Sequence, residues 1–262
     1  MRTPYDFHVH SVFSDGKNTP REMVEAAISY GMETLGFSDH SHTAFDLSWC
    51  MQPENISAYR ETITALKQEY AGKIELFCGI EQDYDSDEPT DGYDYVIGSV
   101  HYMKIEGEYV AVDGSPDILR AAADKYFGSD TYALAAVYFD IVSDVVRKTN
   151  CDLIGHFDLI AKYNESAHLF DENDPRYIAA WKKAADKLLL TGKPFELNFG
   201  AIYRGRRTVP YPAPAMWDYL ISHGARFVLS GDSHCCDALG FTGGKPAPEN
   251  LPYIDFRTVI KK

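Results

Sequence analysis

Short apolar runs alternate with longer amphipathic ones along this chain. The runs at 5–10, 34–38, 74–80, 95–100, 153–155, 195–198 and 227–230 read as strands. Between them, helical periodicity predicts helices over 53–70, 118–126, 132–149, 175–190 and 215–223. A further helix starts after Thr19, with Pro20 at its first position and Glu22 three residues beyond the cap, so that Thr and Glu can satisfy each other's free N–H groups. Strand and helix alternate with no linker, repeat or low-complexity tract, which predicts one α/β domain over residues 1–262 on a parallel sheet. Such a sheet is either doubly wound or closed into a barrel. No glycine-rich phosphate loop follows the first strand, so the dinucleotide-binding version is disfavoured and the barrel is the better reading.

Composition narrows the function. The 262 residues stand at the upper end of what one hydrophobic core supports. The formal charge of −14 argues against a nucleic-acid groove or an anionic membrane as partner. A small phosphorylated substrate stays open, because clustered metal ions can invert the field inside a cleft. No apolar run reaches the roughly 20 residues of a membrane span, and the N-terminus lacks the layout of a signal peptide. The five cysteines (50, 78, 151, 235 and 236) are odd in number and lack paired spacing. Reduced thiols in a cytoplasmic enzyme fit better than a disulfide framework or a zinc knuckle. Cys235 and Cys236 read as incidental.

Histidine placement carries the chemistry. Of nine histidines, His8, His10, His40, His42, His101, His156 and His234 fall at or just beyond the C-terminal end of a predicted strand; His168 and His223 do not. Asp15, Asp39, Glu81, Asp158 and Asp232 join them at the same edge. In a barrel of parallel strands that edge is the active-site face. In His8-Val9-His10 the period of two aims both imidazoles to one side. Any single histidine could be a hydrogen-bonded core residue, but burying seven without a compensating ion is costly. Imidazole with carboxylate suits Zn, Mn or Fe as divalent ions.

The segments His8-Val9-His10-Ser11, Ser14-Asp15-Gly16, Ser38-Asp39-His40-Ser41-His42, Gly79-Ile80-Glu81, Gly98-Ser99-Val100-His101, Gly155-His156-Phe157-Asp158 and Gly231-Asp232-Ser233-His234 resemble, in family order, the PHP (polymerase and histidinol phosphatase) superfamily. Within it the chain is similar to the monofunctional histidinol-phosphate phosphatases, also through Glu196-Leu197-Asn198 and Tyr211-Pro212-Ala213-Pro214. The resemblance implies a distorted (β/α)7 TIM-like barrel with a cluster of three divalent ions at the C-terminal face of its strands. It implies one ion on His8, His10, Glu81 and Asp232, and a second on Glu81, His101 and His156. The third would rest on Asp15, His40 and His234. It also implies hydrolysis of L-histidinol phosphate in histidine biosynthesis.

Roles follow from these assignments. Metal coordination lowers the pKa of water from 15.7 to around 7, which supplies a hydroxide nucleophile between the ions held by Glu81 and Asp232. His42, one pleat beyond His40, is the candidate phosphate contact or leaving-group acid, or else a partner of a ligand. Arg204 matches the family's phosphate-gripping arginine, and Arg206 and Arg207 are neighbours that could substitute. A basic residue expected after Asp158-Leu159-Ile160 is replaced by Ala161, with Lys162 next. Asp46, Asp113 and Asp117 are loop candidates for binding a substrate amine. Competing readings are another small ester, such as a nucleotide or sugar phosphate, and an exonuclease of the same superfamily, which would want a basic groove.

Overall fold

The computed structural model describes residues 2–243 and 248–260. The first half runs β1 (Tyr5–Asp6), α1 (Pro20–Ser29), β2 (Thr34–Phe37), α2 (Ile56–Glu69), β3 (Glu75–Cys78), β4 (Ile80–Asp83), β5 (Val96–Ser99), β6 (Tyr102–Ile105) and β7 (Glu108–Ala111). The second runs α3 (Pro116–Phe127), α4 (Thr131–Val142), α5 (Val145–Thr149), β8 (Leu153–Ile154), α6 (Asn164–Ala167), α7 (Pro175–Leu189), β9 (Phe195–Asn198), α8 (Gly200–Tyr203), α9 (Pro214–Ser222) and β10 (Phe227–Ser230). β1, β2 and β3 form one parallel sheet, and β10, β9, β8, β5 and β4 form another. Strands β2, β4, β5, β9 and β10 are buried along their whole length, as parallel strands covered on both faces are.

The single strand expected at 74–80 is two strands, and the reason is Tyr95. Its buried ring fills the space where a Cβ on Gly79 would stand, 2.4 Å from the ring. Its hydroxyl donates to the carbonyls of Phe7 at 2.7 Å and Phe37 at 3.0 Å. The run breaks at Gly79, so β3 pairs with β2 while β4 pairs with β5, and one stretch of chain serves both sheets. Beyond the regular strands, parallel bridges join Val9 to Ser233 and His40 to Glu81. Asp6 strengthens the first of these junctions. Its buried carboxylate accepts from the Ser233 hydroxyl at 2.8 Å and from the backbone of Gly231 and Gly240 at 3.1 and 3.0 Å.

The long helices follow the sequence with one break. Thr19 and Glu22 form the expected capping box, and α1 buries Met23, Val24 and Ala27. The helix expected over 132–149 stops at Val142 and resumes as α5. Between them the Ser143 hydroxyl donates to the Asp140 carbonyl, a local contact that competes with helical backbone bonding. The elements not expected from the sequence are the one-turn helices α6 and α8 and the antiparallel hairpin β6–β7, whose turn places Glu106 at φ 50° and Gly107 at φ 90°. Met103, Ile105 and Val110 anchor it in the core. Among the described residues no helix is long and apolar enough to cross a membrane.

Candidate metal centre

Strand ends deliver the donors. His8 and His10 follow β1 and share a side because Val9, wholly buried, takes the opposite one into the core. His40 follows β2, Glu81 lies in β4, His101 follows β5, His156 follows β8, and Asp232 and His234 follow β10. Asp15 comes from the loop after β1, where Gly16 runs so close to His10 that a Cβ would meet its backbone at 2.6 Å. Asp232 adopts a left-handed φ of 47°, a conformation that costs a non-glycine residue energy and is concentrated at functional sites.

Glu81 is the hub. Its Oε2 lies 2.8 Å from His40 Nδ1, 3.1 Å from His8 Nε2 and 3.6 Å from His10 Nε2. Its Oε1 lies 2.9 Å from His156 Nε2 and 3.4 Å from His101 Nε2, and accepts from the Ser99 hydroxyl at 2.6 Å. Asp232 Oδ1 stands 3.6 Å from His10 Nε2, and Asp15 Oδ2 stands 3.2 Å from His234 Nε2. Three groups have donor atoms close enough to share an ion: His10, Asp15, His40 and His234; His8, His10 and Asp232; and His40, Glu81 and His101. The nine residues expected as ligands therefore converge. The grouping differs from expectation: Glu81 stands with His40 and His101 rather than with His8, His10 and Asp232, His10 also joins Asp15, His40 and His234, and His156 meets the cluster through Glu81.

The donor set fits divalent cations. His8 Nε2, both ring nitrogens of His10, His40 Nδ1, Glu81 Oε2 and His156 Nδ1 are buried without a hydrogen-bond partner. So many orphaned polar atoms in one place would be expensive unless an ion completed them. Burial favours the neutral acid at Glu81, but His8, His40 and His101 overcome it and hold the carboxyl well below its usual range. At His10 burial disfavours the imidazolium, and with His234 and His40 alongside it drives the ring to the neutral, ligating form.

Two acids orient these ligands, and the sequence reading gave neither a role. Glu196, buried in β9, accepts from His8 Nδ1 at 2.5 Å and from the His156 backbone at 2.7 Å. Asp83 lies 3.1 Å from His101 Nδ1. Each arrangement fixes which ring nitrogen faces the cluster. The available signal was the in-facing period of β4 and β9, which puts Asp83 two residues from Glu81 and Glu196 two from Asn198.

The cluster floors a cleft of about 490 Å³. Lys162, Arg204, Asp46, Asp113, Trp49 and Tyr102 line it above the ligands. Arg204 Nη2 meets Asp232 Oδ2 at 2.8 Å, a contact that only glycine at 200 permits, since a Cβ there would fall 2.7 Å from the same oxygen. Lys162 pairs with Asp113 at 2.9 Å.

Other expected residues lie elsewhere. His42 leaves the site: the chain departs from strand geometry after His40, so the period of two fails. Its Nδ1 turns to the Met51 carbonyl at 3.2 Å, and the ring lines a separate hollow with Asp85, Asp87 and Glu88. Arg206 is exposed over the Tyr163 ring, away from the cleft. Arg207 is fully buried and pairs with Asp158 at 3.1 Å, a contact that ties the loop after β8 to the loop after β9. Asp39 accepts from the Ser11 and Ser14 backbone and hydroxyls rather than facing the cleft. Asp117 is surface-exposed on Arg120. All five cysteines are free thiols, with Cys235 at the cleft edge.

Comparison with known proteins agrees with this geometry. The PHP domain family matches residues 6–198. A Deinococcus radiodurans protein named "Probable histidinol-phosphatase" is 32% identical over 252 residues, covering 90% of this chain and 88% of that one. The crystal structure of hisK from Listeria monocytogenes superposes with a TM-score of 0.72 at 17% identity, covering 90% of this chain and 97% of that one. A histidinol phosphate phosphatase from Lactococcus lactis subsp. lactis, solved with Zn, L-histidinol and phosphate, gives 0.63 at 22% identity over 88% of this chain and 86% of that one.

Proposed function

The chain belongs to the PHP domain family, and from that premise we propose that it hydrolyses L-histidinol phosphate to L-histidinol and phosphate, a step of histidine biosynthesis. The observation that carries the reading is one buried carboxylate, Glu81, with five imidazoles within 3.6 Å, of which His8 Nε2, His10 Nε2 and His40 Nδ1 have no hydrogen-bond partner. Three divalent ions, Zn, Mn or Fe, would be held by His8, His10, Asp15, His40, Glu81, His101, His156, Asp232 and His234. When bound, such ions supply Lewis acidity toward the phosphate and lower the pKa of water into the neutral range.

The chain's own residues do the rest. Glu196 and Asp83 keep His8 and His101 in the ligating tautomer. Arg204 is fixed at one side by Asp232, and its planar guanidinium suits a phosphate grip from the other. Residue 161 is a fully buried alanine, so the basic residue at this part of the cleft is Lys162, which lines it paired with Asp113 at 2.9 Å. The His40–Glu81 and Val9–Ser233 bridges support closure of the two sheets into a distorted (β/α)7 barrel spanning one domain of residues 1–262. The five free thiols support a cytoplasmic setting.

Steady-state kinetics on a panel of esters tests the assignment. Histidinol phosphate is expected to give the highest kcat/KM; a clearly higher value for a nucleoside monophosphate or sugar phosphate overturns the substrate but not the reaction class.

A further inference from the structure

The cleft has two unlike walls. Arg204 and the ligands form one; the loop 43–52 and the β6–β7 hairpin form the other. On this second wall the Trp49 ring stands edge-on to His40 at 4.5 Å between centroids and lies near-parallel to Tyr102 at 5.9 Å. The aromatic surface thus runs from the ligands outward. At its outer end the Tyr102 hydroxyl donates to Asp46 Oδ2 at 2.6 Å. Asp46 Oδ1 accepts from the Ser48 hydroxyl and backbone at 2.6 and 3.0 Å.

Three acids were open as partners of a substrate cation, and the structure separates them. Asp117 is 87% exposed and outside the cleft. Asp113 lines the cleft, but its charge is matched by Lys162 at 2.9 Å. Asp46 also lines it, and among the described residues it has hydroxyl and amide partners but no cation. The hydrogen bonds from Ser48 and Tyr102 hold its carboxyl below the usual range, so it stays ionised.

We infer that Asp46, aimed by Tyr102 and backed by the Trp49 ring, selects phosphate esters whose alcohol carries an ammonium group. The inference rests on the histidinol phosphate reading above. An ammonium on the leaving alcohol is repelled by bound ions and Arg204, which hold the dianionic end. A carboxylate on the opposite wall offsets that repulsion and makes the cleft complementary to a zwitterionic ester. The two rings give a flat apolar surface for the heteroaromatic group beside the amine.

The test compares L-histidinol phosphate with its analogue lacking the amine, 3-(imidazol-4-yl)propyl phosphate. In the metal-loaded wild type the amine-bearing ester is expected to have the higher kcat/KM. Asp46→Asn, which keeps the shape and an acceptor for Ser48, is expected to reduce that ratio about tenfold or more, chiefly through KM. Should the variant fail to fold, Tyr102→Phe removes only the aiming hydroxyl and is expected to lower the same ratio about threefold. A wild-type preference that survives either folded variant unchanged overturns the role of Asp46. No preference in the wild type overturns the inference as well, whereas failure of the parent substrate reading shows separately, as a clearly higher kcat/KM for a nucleoside monophosphate or sugar phosphate.

Discussion

The floor of the cleft and its outer wall are built by different rules. The floor consists mostly of buried strand-end residues set by backbone ladders, with Glu81 wholly enclosed and Asp15, exposed in the loop after β1, as the exception. The outer wall consists of a loop and a hairpin whose polar groups are partly exposed, as at Asp46 and Tyr102. Strand ends can hold ions to a fraction of an ångström because the sheet fixes them. Loops can vary without disturbing the sheet, so the same floor can serve different esters. The floor should therefore govern whether chemistry happens, and the wall which ester it happens to.

Variants of floor and wall separate the two roles. Glu81→Ala removes the hub, so turnover of every ester is expected to fall at least about a thousandfold, well beyond the effect of losing a residue that only orients a ligand. Bound metal, read by atomic emission, should fall with it. Arg204→Met strikes the rim, where floor and wall meet. Here kcat/KM is expected to fall about 30- to 1,000-fold, for aminated and plain esters alike, because the contact is to phosphate. A loss confined to one ester would move Arg204 to the selecting wall. Glu196→Gln keeps the volume but weakens acceptance from His8 Nδ1, and should lower metal affinity about 10- to 100-fold in a chelator competition. Restoration of turnover by excess metal would separate that effect from a fold defect. His42→Ala is expected to change kcat/KM less than about threefold, since the ring faces Met51 and a different hollow; a loss above about thirtyfold would return it to the site.

The same division explains what could be read from the sequence. All nine expected ligands meet at one site because strand period and strand end are local properties. The pair His8 and His10 shows this most simply, with Val9 between them in the core. His42 breaks the same rule, standing two residues past His40, whose bridge to Glu81 is the last strand-like pairing after β2. The break at Gly79 was invisible because its cause, the Tyr95 ring, lies sixteen residues along the chain and in another strand's shadow. The hairpin was written in the alternation of Met103, Ile105 and Val110, but its Glu-Gly turn lacks the usual asparagine or aspartate signal. Glu196 was visible only as part of a motif, since its partner His8 is 188 residues away. Arg207, one residue from exposed Arg206, was indistinguishable from it until the structure put it on Asp158.

We propose that strand ends assemble a multinuclear ion site around Glu81. Anomalous scattering from crystals of the metal-loaded protein, recorded at the edge of the added metal, tests it most directly. Three peaks are expected, beside His10, Asp15, His40 and His234, beside His8, His10 and Asp232, and beside His40, Glu81 and His101. A single peak, none, or peaks only outside these groups would contradict it.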